Sequence, residues 1–358
     1  MCDAGKPAHL YCNVLSIEPL VIVGYGSPGP FSPALQLCEP LKKHKAYFLL
    51  GSWWDLRDPV ELSRTVLNYQ TYCQAYPQHH FIYMVNEEVH RKILGDFGVP
   101  AVFCHQNAFL DEKIFHIQPL EKSFDAVYNA RLEPFKRHHL ARRLRSLGLI
   151  FYNTSGPDGL KYRDSILRSL PQAAHLNMVQ GAYRFLNHDD ICTLYNQARV
   201  GLCLSELEGA NYATTEYLLC GLPVVSTHNS GGRNHFLPHE FSRLVSPTPE
   251  AVRDAVQDLI DRRIPPETIR RQTLLRCLSH RKIFQDLVQT IYDQEKAGRR
   301  FADEWDTVYR NKMLVWGIPD WQVVEYVEKW RGRTDKVLEP LRRDLSQNEN
   351  PNAFRPAA

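Results

Sequence analysis

An α/β fold built on parallel sheets is what this sequence predicts, on three observations. Short apolar runs alternate with helix-length segments from residue 20 to residue 104. The alternation resumes at residue 124, after a stretch at 117–122 suited to a linker. The chain has 358 residues, 44% of them hydrophobic, so it can bury two cores rather than one.

The first strand is Leu20-Val21-Ile22-Val23, and Gly24-Tyr25-Gly26-Ser27-Pro28-Gly29 after it formally satisfies a dinucleotide-binding fingerprint. That fingerprint needs a helix to begin among its glycines. Pro28, Pro30 and Pro33 oppose this by removing donors and displacing the preceding residues from helical geometry, so a bend with a late helix from Pro33 is expected. Strands at 46–50, 81–85 and 101–104 then alternate with helices at 60–75 and 87–96. Such βαβ succession implies a parallel sheet.

The second half opens with a strand at 124–128 followed by Arg131 and Lys136, where a basic helix is expected to start. Strands at 149–153 and 174–179 flank a helix at 160–168, and Asp189-Asp190 read as the cap of a helix running towards Ala198. The run Val200-Gly201-Leu202-Cys203-Leu204 is a buried strand that ends in a polar loop carrying Glu206 and Glu208. A helix from Asn211 or Tyr212 follows, stopped at Gly221 before Pro223 opens another strand. Further helices are expected at 249–261 and 266–294. The segment 301–330, with Trp305, Trp316, Trp321 and Trp330, is expected to form helices packing back onto the first domain. The predicted organisation is a first domain at 1–120, a second at 121–300, terminal helices at 301–335 and a disordered tail at 336–358.

The loop and helix at 205–221 have the chemistry of a nucleotide site. Unpaired N–H groups at the start of a helix hold a phosphate, so Asn211, Tyr212 and Ala213 are candidates for that contact. Glu216 lies one turn in, roughly 6 Å along the axis, where a carboxylate can accept bonds from two ribose hydroxyls. Glu208, just before the helix, is placed to face a sugar. Two carboxylates could equally form an acid/base pair.

The whole run is more specific than its carboxylates. Glu208 and Glu216 are separated by seven residues, and Gly221-Leu222-Pro223-Val224-Val225 and Gly231-Gly232 follow. This pattern resembles the retaining glycosyltransferases of family 4, also called group 1. The resemblance implies the GT-B architecture, two Rossmann-like domains facing across a cleft, here with a shortened N-terminal domain that would recognise the acceptor. It also implies transfer of a hexose from a nucleoside-diphosphate sugar to an acceptor hydroxyl, with retained configuration. Arg131 and Lys136 match the family's spacing of cations that stabilise a departing diphosphate; a solvated basic helix, continued by Arg137, His138, His139, Arg142, Arg143 and Arg145, is the alternative. Gly26 falls in the family's glycine-rich loop near the donor, with a plain turn as the alternative, and Tyr183 stands where the family's loop meets the base, with simple packing as the alternative. Where the family has a Glu three residues after the second glycine, this chain has His235. The resemblance covers 80–260 and fades in the N-terminal quarter, where it assigns no catalytic histidine.

Charge and composition narrow the partners. A net charge of +3 gives no reason to expect nucleic acid, and leaves a phosphate ligand or a peripheral membrane contact open. No run approaches about 18 uninterrupted apolar residues, and the N-terminus lacks a basic region followed by an apolar core, so a cytoplasmic protein is expected. Its nine scattered cysteines, never spaced Cys-x-x-Cys, read as reduced core residues. No metal or cofactor is expected: there is no Asp-x-Asp, and Pro238 breaks the His235/His239 spacing. The acceptor, whether glycan, lipid or small molecule, stays open, as do the donor's base and sugar and the oligomeric state. Two other functions remain beside transfer: a catalytically silent sugar-nucleotide binder or partner subunit, and a dinucleotide oxidoreductase built on residues 24–29.

Overall fold

The computed structural model describes residues 9–25, 36–51, 55–151, 157–309 and 315–332. Two compact units divide the chain: unit 1 is Met1–Phe109 with Ser279–Ala358, and unit 2 is Leu110–Leu278. The sequence reading sets its boundaries at 120 and 300 instead. The second division falls inside one continuous helix, Pro266–Gln294. Its later apolar residues, Phe284, Val288, Ile291 and Tyr292, are buried in the core of unit 1. A helix pattern cannot show which core each end serves.

In unit 1, β1 (His9–Ile17) and β2 (Leu20–Tyr25) form an antiparallel pair, and β3 (Ala46–Gly51) continues parallel to β2. Helix α1 (Pro59–Ala75) starts at Asp58, whose side chain takes the N–H groups of Val60 and Glu61, with Pro59 at the first helical position. It leads to β4 (His79–Val85), then α2 (Glu88–Asp96) and β5 (Ala101–Phe103). Strands β2 to β5 are all parallel, as the βαβ succession requires. Residues 26–35, with Gly26 and the loop glycine Gly29, lie outside the described residues.

Unit 2 holds an all-parallel sheet. Its elements are β6 (Phe124–Asn129), β7 (Leu147–Ile150), α3 (Pro157–Ser169), β8 (Ala173–His175), β9 (Met178–Val179), β10 (Ala182–Tyr183), α4 (His188–Asn196), β11 (Ala198–Cys203), α5 (Tyr212–Leu219), β12 (Val224–Thr227), β13 (Ser242–Val245) and α6 (Pro249–Asp261). The strand order is β13-β12-β11-β6-β7-β8. Three local readings are corrected here. The strand expected at 174–179 is broken, because the Asn177 side chain bonds to the backbone of Phe151 and releases β9 into a hairpin with β10. The cap of α4 is Asn187, whose side chain accepts from the Asp190 N–H at 2.7 Å; Asp189 and Asp190 sit in the first turn. The expected basic helix is two short 3-10 turns, Pro134–Lys136 and His138–Ala141, parted by Arg137 at φ 50°.

The chain returns to unit 1 along α7 (Pro266–Gln294), then α8 (Phe301–Val308), β14 (Val315–Pro319) and α9 (Asp320–Trp330). Helices were expected throughout 301–330. Gly317 and Pro319 break that pattern, and Val315–Pro319 instead pairs antiparallel with β1 at the sheet edge. The period-2 alternation along the strands sorts residues to two covered faces. Leu20, Ile22, Phe48 and Leu50 share one core with Leu94, Val323 and Val327. Val21, Val23, Tyr47 and Leu49 share the other with Phe284, Val288, Phe301 and Val308. The tail at 336–358 lies outside the described residues.

Candidate functional site

Strand order places the site in unit 2. From β6 the chain builds outward through β7 to β8, then crosses back to β11 on the other side of β6 and builds outward through β12 to β13. The connections leaving the C-terminal ends of β6 and β11 therefore diverge, which opens a crevice at that edge of a doubly wound sheet. The two loops that meet there are 130–137 and 204–211.

Their side chains converge on Glu208. Lys136 Nζ forms an ion pair with Glu208 Oε1, and Ser205 Oγ donates to the same oxygen at 2.7 Å. Both charged side chains are largely buried, at 13% and 14% exposure, so the pair is shielded from bulk screening. The Tyr128 hydroxyl donates to the Lys136 carbonyl and so fixes the turn behind the ammonium group. The backbone of Glu208 is held as firmly. Its N–H donates to Ser230 O at 3.3 Å, and its carbonyl accepts from Asn229 Nδ2 at 3.3 Å. Gly231, at φ 105°, permits this approach: a Cβ there would stand 1.8 Å from Glu208 O.

Two arginines that the sequence does not single out tie the strand ends beneath the loop. Arg137 donates from Nε to Leu204 O and from Nη2 to Thr227 Oγ1, both at 2.8 Å. In sequence it belongs to a basic run that reads as solvated; its left-handed backbone turns the side chain inward instead. Arg233 is fully buried, donating to Thr227 O at 2.8 Å and to Ser205 O at 3.3 Å and 3.4 Å. Burial lowers the pKa of both guanidinium groups. The one hint of Arg233 in the sequence is its place directly after Gly231-Gly232. His138, packed against Tyr128, is pushed down to about 3 by burial and then by the Lys136 charge.

The second carboxylate sits on α5. Asn211, left-handed at φ 55°, caps the helix by accepting from the Thr214 N–H at 3.3 Å, so the helix starts where the sequence places it. Glu216, one turn in, is 4% exposed, and its Oε2 accepts from the Tyr195 hydroxyl at 2.9 Å. That hydroxyl accepts from Asn129 Nδ2 at 2.6 Å. Tyr212 and Ala213 are half-buried in the first turn, and burial and then Glu216 raise the Tyr212 phenol. Helix α5 is stopped at Gly221, φ 76°, and Arg270 donates to the Leu219 carbonyl at its C-terminus.

Not every sequence candidate joins this group. Arg131 is exposed and pairs with Glu133 at 2.7 Å, while Lys136 pairs with Glu208. Tyr183 lies on the β9–β10 hairpin, where its ring packs against Phe151 at 6.5 Å between centroids. Gly26 is outside the described residues. Among the described residues no three His, Cys, Asp or Glu side chains are grouped to hold a metal, and no helix is long and apolar enough to cross a membrane.

Residues 159–274, within unit 2, match the family of glycosyl transferases group 1. Unit 2 contains a stretch similar to the group 1 glycosyltransferases. The matched stretch contains Glu208, Glu216, Gly231 and Arg233, while Arg131 and Lys136 precede it. The sequence has no match among curated proteins. In fold the chain is similar to a sucrose-phosphate synthase from Thermosynechococcus elongatus, at 15% identity and TM-score 0.55 over 78% of this chain and 74% of that one. It is also similar to HepE of Anabaena in complex with UDP, at 14% identity and TM-score 0.54 over 76% and 78%. HepE with UDP and glucose gives 14% identity and TM-score 0.53 over 75% and 77%. These are GT-B glycosyltransferases, and the α/β fold with parallel sheets expected from the sequence is the one found.

Proposed function

We propose that this chain is a retaining hexosyltransferase that moves a sugar from a nucleoside diphosphate to an acceptor hydroxyl, using side-chain cations in place of a divalent metal. The observation that carries this reading is the Lys136–Glu208 pair at the diverging strand ends, beside a helix start that presents Glu216. A cation, a sugar-facing carboxylate and a ribose-facing carboxylate are what a nucleotide sugar needs along its length. That HepE is seen with UDP and with glucose supports uridine as the first base to test.

In this mechanism Glu216 accepts the ribose hydroxyls, and Glu208 accepts a hydroxyl of the donor sugar. The diphosphate lies against the first turn of α5 at Asn211, Tyr212 and Ala213, and against Lys136 and Arg131. As the bond from the anomeric carbon to the diphosphate oxygen breaks, charge accumulates on that oxygen. The Lys136 ammonium group, already fixed by Glu208 and Tyr128, stabilises it without reorganisation. Arg131 reaches the outer phosphate by leaving Glu133. Tyr183 stands on the base side.

Calorimetry against UDP, GDP, ADP and their sugars identifies the donor, and hydrolysis of that donor without acceptor reports turnover. Lys136→Ala is expected to lower turnover about 100-fold or more, and Arg131→Ala less, on the scale of lost transition-state charge stabilisation. Binding without turnover in the parent protein would instead mark a silent binder. A response to NAD alone would end the transferase reading.

A further inference from the structure

Glu216 does not hold its own orientation. It is joined to Tyr195, on the last turn of α4, and through it to Asn129, at the C-terminal end of β6. Tyr195 is fully buried, with its ring stacked on Phe115 at 6.4 Å and set edge-on to Tyr217 at 4.6 Å. Tyr217 is fixed in turn, since its hydroxyl accepts the Asn129 backbone N–H at 2.7 Å and its side chain rests on Gly201, where a Cβ would meet it at 2.3 Å.

The direction of this chain follows from proton count. A tyrosine hydroxyl has one proton, and an ionised carboxylate can only accept. Tyr195 must therefore give its proton to Glu216 Oε2 and accept from Asn129, which requires the amide to present Nδ2. The Tyr195 hydrogen is thus committed to Glu216. A glutamate with three rotatable bonds is thereby held in one orientation before any ligand arrives, and the cost of ordering it does not fall on binding.

We propose that Tyr195 is the positioning residue for Glu216, and that the pair makes the site selective for ribose over 2′-deoxyribose. The inference rests on the reading of Glu216 as the ribose contact. A carboxylate fixed to accept from a vicinal diol loses one of its two donors when the 2′-hydroxyl is absent. A carboxylate free to rotate loses less, because it gains less from the diol.

The test compares UDP, GDP and ADP with their 2′-deoxy forms, in the parent protein, in Tyr195→Phe and in Glu216→Gln. Tyr195→Phe keeps both ring contacts and removes only the hydroxyl. It is expected to weaken binding of the ribose nucleotide about tenfold, the scale of one hydrogen bond to a charged group, and to reduce the ribose preference, with kcat for a bound donor nearly unchanged. The ratio of the two ligands does not depend on the folded fraction, so partial unfolding of the variant cannot imitate this result. The double variant Tyr195→Phe/Glu216→Gln should bind no more weakly than Glu216→Gln alone, because Tyr195 acts through Glu216. Additive losses, or an undiminished ribose preference in Tyr195→Phe, would overturn the Tyr195 assignment and leave the donor reading standing. A parent protein that binds none of the three nucleotides would overturn both.

Discussion

Gly231→Ala tests how the Glu208 loop is held. In the folded chain Gly231 has φ 105°, and a Cβ there would lie 1.8 Å from the Glu208 carbonyl oxygen and 2.7 Å from its carbon. The backbone strain alone is worth about 1–2 kcal/mol. Restoring an ordinary contact of about 3.5 Å requires the two loops to part by more than about 1 Å, which breaks the 3.3 Å bonds between Glu208 and the 229–230 backbone and side chain. A total loss of about 2–4 kcal/mol follows, a drop of about 5–15 °C in Tm for a unit of this size. Donor turnover should fall about 100-fold beyond the loss of folded protein, the usual consequence of a 1 Å displacement of a positioned group. Gly221→Ala is the control. It is left-handed too, at φ 76°, with a Cβ 2.5 Å from Pro266 Cβ, but it makes no contact with Glu208. Thermal melting and donor hydrolysis at saturating nucleotide sugar separate the two variants. A Gly231→Ala protein with the parent's Tm and turnover would refute the close-approach argument.

Gly201→Ala places a Cβ 2.3 Å from the Tyr217 ring inside the sheet, an overpacking expected to cost about 1–3 kcal/mol; chemical denaturation reads it, and an unchanged midpoint would mean that Tyr217 relaxes freely. Acid should destabilise the fold. His138 and His280 are depressed by burial to about 3 and about 4, so below pH 6.5 the unfolded chain binds protons that the folded one refuses. Stability then falls with pH by about 1.4 kcal/mol per unit for each histidine, from about 6.5 down towards each folded pKa. His138→Gln should reduce that slope by one proton's share, measured from denaturation midpoints between pH 4.5 and 7.

Most of the fold of unit 2 is legible in the chain. The strand-loop-helix-Gly-strand run from Val200 to Val225 appears as β11, α5 and β12, because local signals at Asn211, Gly221 and Pro223 agree with the burial pattern. Unit 1 is less legible. The apolar residues of β1 read clearly only once β2 and β14 flank it, and β14 looks helical until its edge pairing is known. The site divides in the same way. Glu208, Glu216 and Lys136 stand out by spacing, whereas Arg137 looks like one more member of a basic run, Arg233 is hinted at only by the two glycines before it, and Tyr195 carries no pattern at all.

The sequence by itself determined the α/β class, the helix start at Asn211, the stop at Gly221 and the placing of Glu208 in the loop and Glu216 in the helix, because each depends on residues within one or two turns of each other. Tertiary structure alone decided which charges meet. It paired Lys136 with Glu208 across 72 residues, left Arg131 with Glu133, and joined Glu216 to Tyr195 and Asn129. Those partners are brought together by the strand order, which seats β11 beside β6 after the chain has passed through β7 and β8.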